Sequence, residues 1–166
     1  MWIERLSQRA GYAVFIARIS AGEVGSPVID TEDLLLGILL LDPSLVQKSG
    51  GDLSAQELVA GFHQWRTPSK KLNTSQDLPV SDELGRMFER SILLADEMGS
   101  DKIQLLHLLL AMMMDPESHA AIALKRAGSD PEAMRRIPIE PETKELQAFD
   151  PPWYHDLRSL FPKSDL

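Results

Sequence analysis

The side chains best suited to chemistry are four histidines, His63, His107, His119 and His155, set among 25 acidic residues. Near neutral pH an imidazole can ligate a metal or act as a general base, but either task needs partners at defined spacing. No H-E-x-x-H string and no cysteine occur, so neither a helical zinc site, nor a thiolate nucleophile, nor a disulfide framework can be written, and no metal is expected. His107 lies in an apolar run, Leu105 to Ala111. There it is either a hydrogen-bonded core residue or, with nearby acids, the base of a small-molecule hydrolase or ligand-binding enzyme. The sequence sets no nucleophile and orienting acid beside it, so no catalytic residue is expected. A G-x-x-x-x-G-K-[ST] loop is also absent, which leaves no phosphate cradle of that kind and no cofactor expected. With 17 basic residues the net charge is −8, a poor match to a nucleic-acid backbone.

Binding chemistry has better candidates. Met112, Met113 and Met114 could offer an adaptable thioether surface, but the positions that match them in the repeat described below, Ile38, Leu39 and Leu40, are plain core types, so burial is expected, with one Met reaching the surface. Four of the ten aromatic residues, Phe149, Trp153, Tyr154 and Phe161, fall in the last 18. So dense an aromatic stretch needs a burial partner. It is expected to fold back on the chain's own helices, the alternative being a short linear motif in which Phe149, Trp153 and Tyr154 contact another protein.

The elements that position these residues are set by an internal repeat. At an offset of 74, Ser7–Leu40 and Ser81–Met114 share ten identities, at Ser7, Gly11, Ala21, Glu23, Gly25, Ser26, Ile29 and Leu34–Leu36 and their mates. Both copies then reach Asp-Pro, at Asp42-Pro43 and Asp115-Pro116. Ser7 and Ser81 are expected to cap a first helix that Gly25 and Gly99 end. A Leu-rich second helix, apolar almost all round, follows from near Asp30 and near Gln104 and must be buried on most sides. Asp42-Pro43 and Asp115-Pro116 are expected to open a third helix, cut short at Gly50-Gly51 in the first copy and ending at Gly128 in the second. Ser54, with a capping box to Glu57, and Asp130-Pro131 open a fourth.

The expected fold is therefore all-α, two tandem four-helix repeats packed with pseudo-twofold symmetry in one domain, residues 1–137. Repeat one spans 2–66, a polar linker 67–79, and repeat two 80–137. A tail rich in proline and aromatic residues, 138–166, follows, with possible helical turns near Glu142–Phe149 and Trp153–Leu160. The longest run without a polar residue, Leu34–Leu41, is too short to cross a bilayer, and Met1–Leu6 carries no apolar signal core. A cytoplasmic protein without membrane partners is expected.

Leu6-Ser7-Gln8-Arg9-Ala10 and Ile29 to Leu39, with Thr31-Glu32-Asp33-Leu34-Leu35-Leu36-Gly37 at its centre, resemble the N-terminal domain of the Clp unfoldases of the ClpA, ClpB and ClpC type, here over residues 2 to about 137. The family usually has His at Asp33, and the second copy keeps that residue as His107 while replacing Thr and Glu by Leu105 and Leu106. The resemblance implies a docking domain for clients and adaptors of an ATP-dependent unfoldase and its protease, here as a free-standing accessory or a domain adapted to another partner. It implies protein partners: a Clp ATPase, a protease subunit, an adaptor or a client. It also implies candidate contacts for phosphorylated arginine at Ser7 and Glu32, the helix start taking the phosphate and the carboxylate the guanidinium. Both residues also serve local structure, Ser7 as a cap and Glu32 near a helix start, and that plainer role is the stronger expectation.

Overall fold

The computed structural model describes residues 2–67, 69–73, 77–139 and 152–161, with residues 2 and 152–154 in backbone only. The described residues form ten α-helices and one 3-10 turn, with no strand. The order is α1 (Trp2–Arg5), α2 (Gln8–Glu23), α3 (Thr31–Leu41), α4 (Ser44–Lys48), α5 (Ala55–Ala60), the 3-10 turn Phe62–Gln64, α6 (Asp82–Glu97), α7 (Leu105–Met113), α8 (His119–Arg126), α9 (Pro131–Arg135) and α10 (Pro152–Leu160).

Local chemistry sets the helix starts. The Ser7 and Ser81 hydroxyls each accept a backbone N–H, from Ala10 and Leu84, both at 3.1 Å, and so satisfy a donor that the helix itself cannot. The Ser54–Glu57 capping box forms in both directions. The two Asp-Pro pairs behave differently from expectation. Asp42 accepts from the Ser44 N–H at 3.2 Å just ahead of α4, but in the second copy Asp115 only bends the chain, accepting from the Glu117 N–H at 3.2 Å. There α8 starts three residues later, capped by Ser118, whose hydroxyl accepts from the Ala121 N–H at 3.2 Å.

Packing follows the repeat. The main contacts are α2 on α3 and α6 on α7, and the cores of α3 and α7 are buried almost throughout. Cross-repeat hydrogen bonds come in exchanged pairs. The Ile29 N–H donates to the Pro79 carbonyl at 2.9 Å and the Ser81 N–H to Ile29 at 2.8 Å. Their mates at the offset of 74 are Ile103 N–H to Arg5 at 2.7 Å and Ser7 N–H to Ile103 at 3.0 Å. At the far end, Asp52 N–H to Ala127 at 2.9 Å mirrors Asp130 N–H to Ser49 at 2.8 Å. Gly50 and Gly128 face each other there at φ 88° and 94°, a left-handed conformation that favours glycine. Such reciprocity is what a pseudo-twofold axis through one shared core produces.

Met112 is buried, Met113 half-buried and Met114 half-exposed, as the helical spacing of three successive residues requires. The tail's second expected turn is α10, which lies against α3 and α5 with Leu157 and Phe161 buried. The first expected turn, Glu142–Phe149, and with it Phe149 itself, lies outside the described residues. Trp153 and Tyr154 fall within α10.

Candidate functional site

Among the described residues a dense polar cluster forms where the starts of α3 and α8 meet. Thr31, in the first turn of α3, accepts the Ala120 N–H of α8 on its hydroxyl at 3.1 Å. One residue on, the Glu32 carboxylate meets His119 Nδ1 at 2.9 Å through Oε2 and the Arg66 guanidinium through Oε1. Arg66 also reaches Asp33 with both terminal nitrogens at 3.0 Å. Asp33 further accepts the Ser20 hydroxyl at 2.6 Å and the Asp30 N–H at 3.0 Å. Glu32 and Asp33 are almost fully buried and the Arg66 side chain is 11% exposed. Trp65 stacks on the His119 ring at 4.9 Å between centroids, and the Arg66 guanidinium lies 4.9 Å above the Phe62 ring.

Burial alone pushes the Glu32 carboxyl up, but the His119 hydrogen bond and the charges of Arg66 and His119 outweigh it and hold it below its usual range. Burial raises Asp33 to about 6, and the facing Arg66 limits that rise. Burial works against the Arg66 charge too, yet Asp33 and Glu32 raise its pKa overall. His119 is raised first by its hydrogen bond to Glu32, against some burial, and then by the charges of Glu32, Asp30 and Glu83.

These shifts predict a pH dependence. The raised His119 pKa contributes stability in full below its ordinary 6.5 and loses it as pH climbs through the folded value. The lowered Glu32 pKa contributes above its ordinary 4.5 and fails as pH falls through the folded value. Both contributions are complete between those two ordinary values. Thermal melts of wild type and His119→Gln are expected to differ most near about pH 5.5 and to converge as pH rises through the raised His119 value. A difference constant across that range would contradict the ion pair.

Asp30, Glu32 and His119 bring three donor atoms within 4.8 Å of one another, a spacing a divalent cation could bridge. A cation there would compete with the His119 proton and would sit beside the guanidinium on the other Glu32 oxygen, so the arrangement is an ion-pair network first.

The two candidate contacts, Ser7 and Glu32, take different partners. The segment at Ser7 pairs with Ile103, at the start of α7, whereas the start of α3 borders Ser81, whose hydroxyl donates to Asp30 at 2.9 Å. Ser7 is buried as a helix cap, and the Glu32 carboxylate already holds a guanidinium, that of Arg66. In this arrangement Ser7 serves as a helix cap and Glu32 as the partner of Arg66 and His119. His107 is fully buried, its Nδ1 accepting the Gln104 N–H at 2.8 Å, the capping role that Asp33 plays in the other copy. Burial and the charge of Arg5 lower its pKa. Arg66 and His119 were not singled out as partners of Glu32 by the sequence. The available signal was two adjacent acids opening a wholly apolar helix, which demand a cation when buried.

Two solved structures share this fold. The N-terminal domain of the chaperone ClpD from Arabidopsis thaliana aligns with a TM-score of 0.64 at 23% identity, covering 81% of this chain and 92% of that one. A chain from a structural study of a malarial protein secretion system aligns with a TM-score of 0.68 at 15% identity, covering 79% and 90%. No helix among the described residues is long and apolar enough to cross a membrane. The family model of the Clp repeat (R) N-terminal domain matches residues 5–127, the span that holds the reciprocal helical repeat, and this chain belongs to the Clp repeat N-terminal domain family.

Proposed function

We propose that the chain is a cytoplasmic protein-binding accessory or adaptor module of an ATP-dependent Clp chaperone or protease, recognising substrates, adaptors or the machine itself. The observation that carries this reading is the double Clp repeat over residues 5–127. On this reading the chain works by binding and leaves both ATP hydrolysis and peptide cleavage to its partners. The competing hydrolase reading depends on His107, and a fully buried imidazole that caps its own helix cannot meet a substrate.

Adding purified chain to a reconstituted Clp ATPase and protease that is degrading an unfolded client should change the degradation rate saturably. A rate unaffected by excess chain would contradict the proposal. Calorimetry with free phosphoarginine should show no binding, because Arg66 already occupies the Glu32 carboxylate; heat that Glu32→Ala abolishes would restore Glu32 as a client contact.

A further inference from the structure

Donor atoms from the two repeats converge where α3 and α8 begin. Glu32 Oε2 stands 2.9 Å and Asp30 Oδ2 3.7 Å from the same nitrogen, His119 Nδ1, and the three side chains each offer one ligand atom within 4.8 Å of the others. An imidazole nitrogen carries a single proton and can give it to one acceptor. Two carboxylate oxygens face this one, so the proton satisfies one of them and leaves the other beside a like charge. The short contact goes to Glu32. Asp30 spends Oδ1 on the Thr31 N–H at 2.7 Å and the Ser81 hydroxyl at 2.9 Å, and among the described residues no donor other than His119 stands against its Oδ2. A zinc ion with its donors at about 2.0–2.2 Å holds neighbouring donors about 3.0–3.5 Å apart, and the two separations fall on either side of that range.

Each ligand is also held from behind. Asp30 is fixed through Oδ1 as the cap of α3, Glu32 through Oε1 by the Arg66 guanidinium, and the His119 ring by Trp65, stacked at 10° between planes. Supports of this kind set ligand direction at metal sites, and a loose group of surface acids lacks them. The Glu32 side chain is 1% exposed, whereas those of Asp30 and His119 are 17% and 27% exposed, which leaves an open side for water to complete the coordination. Charge favours a dication as well. Burial and then the charges of Asp30 and Asp115 raise the Glu83 carboxyl, so two further acids stand near, while the opposing Arg66 charge is shared with Asp33.

We propose that Asp30, Glu32 and His119 form a binding site for one divalent transition-metal ion of the zinc type, joining the start of α3 in repeat one to the start of α8 in repeat two. The imidazole nitrogen selects zinc over magnesium or calcium, which take oxygen donors. The ion takes the place of the Nδ1 proton, which leaves to the buffer, and no oxidation or reduction is involved. His119 stands 87 residues from Glu32, so no local ligand spacing announces the site, and a bound ion ties the two repeats together.

The test uses the whole chain, stripped with EDTA, then titrated with zinc chloride by calorimetry and melted with and without zinc. One ion per chain should bind, and the melting temperature should rise by about 5–10 °C once free zinc exceeds the Kd about 100-fold. Asp30→Asn keeps an oxygen to cap α3, and His119→Gln removes the nitrogen; each should weaken zinc binding at least about 10-fold. Magnesium chloride should produce neither heat nor a shift, and His63→Gln should bind zinc as wild type does. Absence of zinc binding, binding that either folded variant leaves intact, or an equal response to magnesium overturns the proposal. Loss of binding in His63→Gln would place the ion elsewhere and overturn it too. Where one of the two ligand variants fails to melt cooperatively in EDTA, the other decides.

Discussion

Arg66→Ala is expected to destabilise the fold by about 3–5 kcal/mol, the cost of removing one partner from a buried ionic cluster. The guanidinium is the cation shared by two carboxylates, Glu32 and Asp33, whose side chains are 1% and 0% exposed. Without it, among the described residues, Asp33 keeps the Ser20 hydroxyl and the Asp30 N–H, and Glu32 keeps His119. For a chain of this length the loss should lower the melting temperature by roughly 10 °C. Arg66→Lys should recover part of it, since an ammonium supplies the charge without the planar fork that spans both acids. A melt changed by less than about 1 kcal/mol on Arg66→Ala, the value for an exposed pair, would show that the cluster is solvated rather than structural.

The second large effect concerns the crossing of α2 and α3. A methyl group at Gly37 would lie 2.5 Å from the Ala13 carbonyl oxygen and 3.0 Å from the Ala13 Cα. These are backbone atoms that cannot rotate aside, so the two helices must part. Overpacking of this sort costs up to about 3 kcal/mol, more than the ~1 kcal/mol that alanine gains over glycine in a helix interior. Gly37→Ala should therefore destabilise by about 2 kcal/mol. Gly11, also helical, has nothing within 4 Å of its added Cβ, and Gly11→Ala should stabilise by up to ~1 kcal/mol. Opposite signs for the same substitution, measured by urea titration, are the expected result; destabilisation by both, or by neither, would contradict the crossing geometry. The second repeat carries Ala111 and Met87 at the matching positions, so close backbone approach is a property of repeat one.

Much of this architecture was legible in the chain because the repeat writes it twice. Caps such as Ser7, Ser81 and Ser54 are local devices, read from residue type and spacing. The matching turns after α2 and α6, with Gly25 and Gly99 both at φ 70°, follow from shared glycines. What the sequence withheld was the partner of each buried polar group. Arg66 stands 33 residues from Asp33 at the edge of the expected linker, and His119 reaches Glu32 from the other repeat, so nothing local announces either. The pairing of Ser7 with Ile103 and of Ile29 with Ser81 likewise depends on which segments swap hydrogen bonds and not on any single helix. Asp115 misled for a related reason: an acid before proline is a good helix opener, but Ser118 competes for the same role and wins.

The central claim, that the chain binds on behalf of a Clp machine, is tested most directly by capture. The tagged chain would be cross-linked in lysate of the cells that make it and its partners identified by mass spectrometry, with the tag alone as the control. Enrichment of a Clp ATPase or protease subunit by the chain, absent from the control, is the predicted result. Capture that contains no Clp subunit, from cells shown to express one, would contradict it.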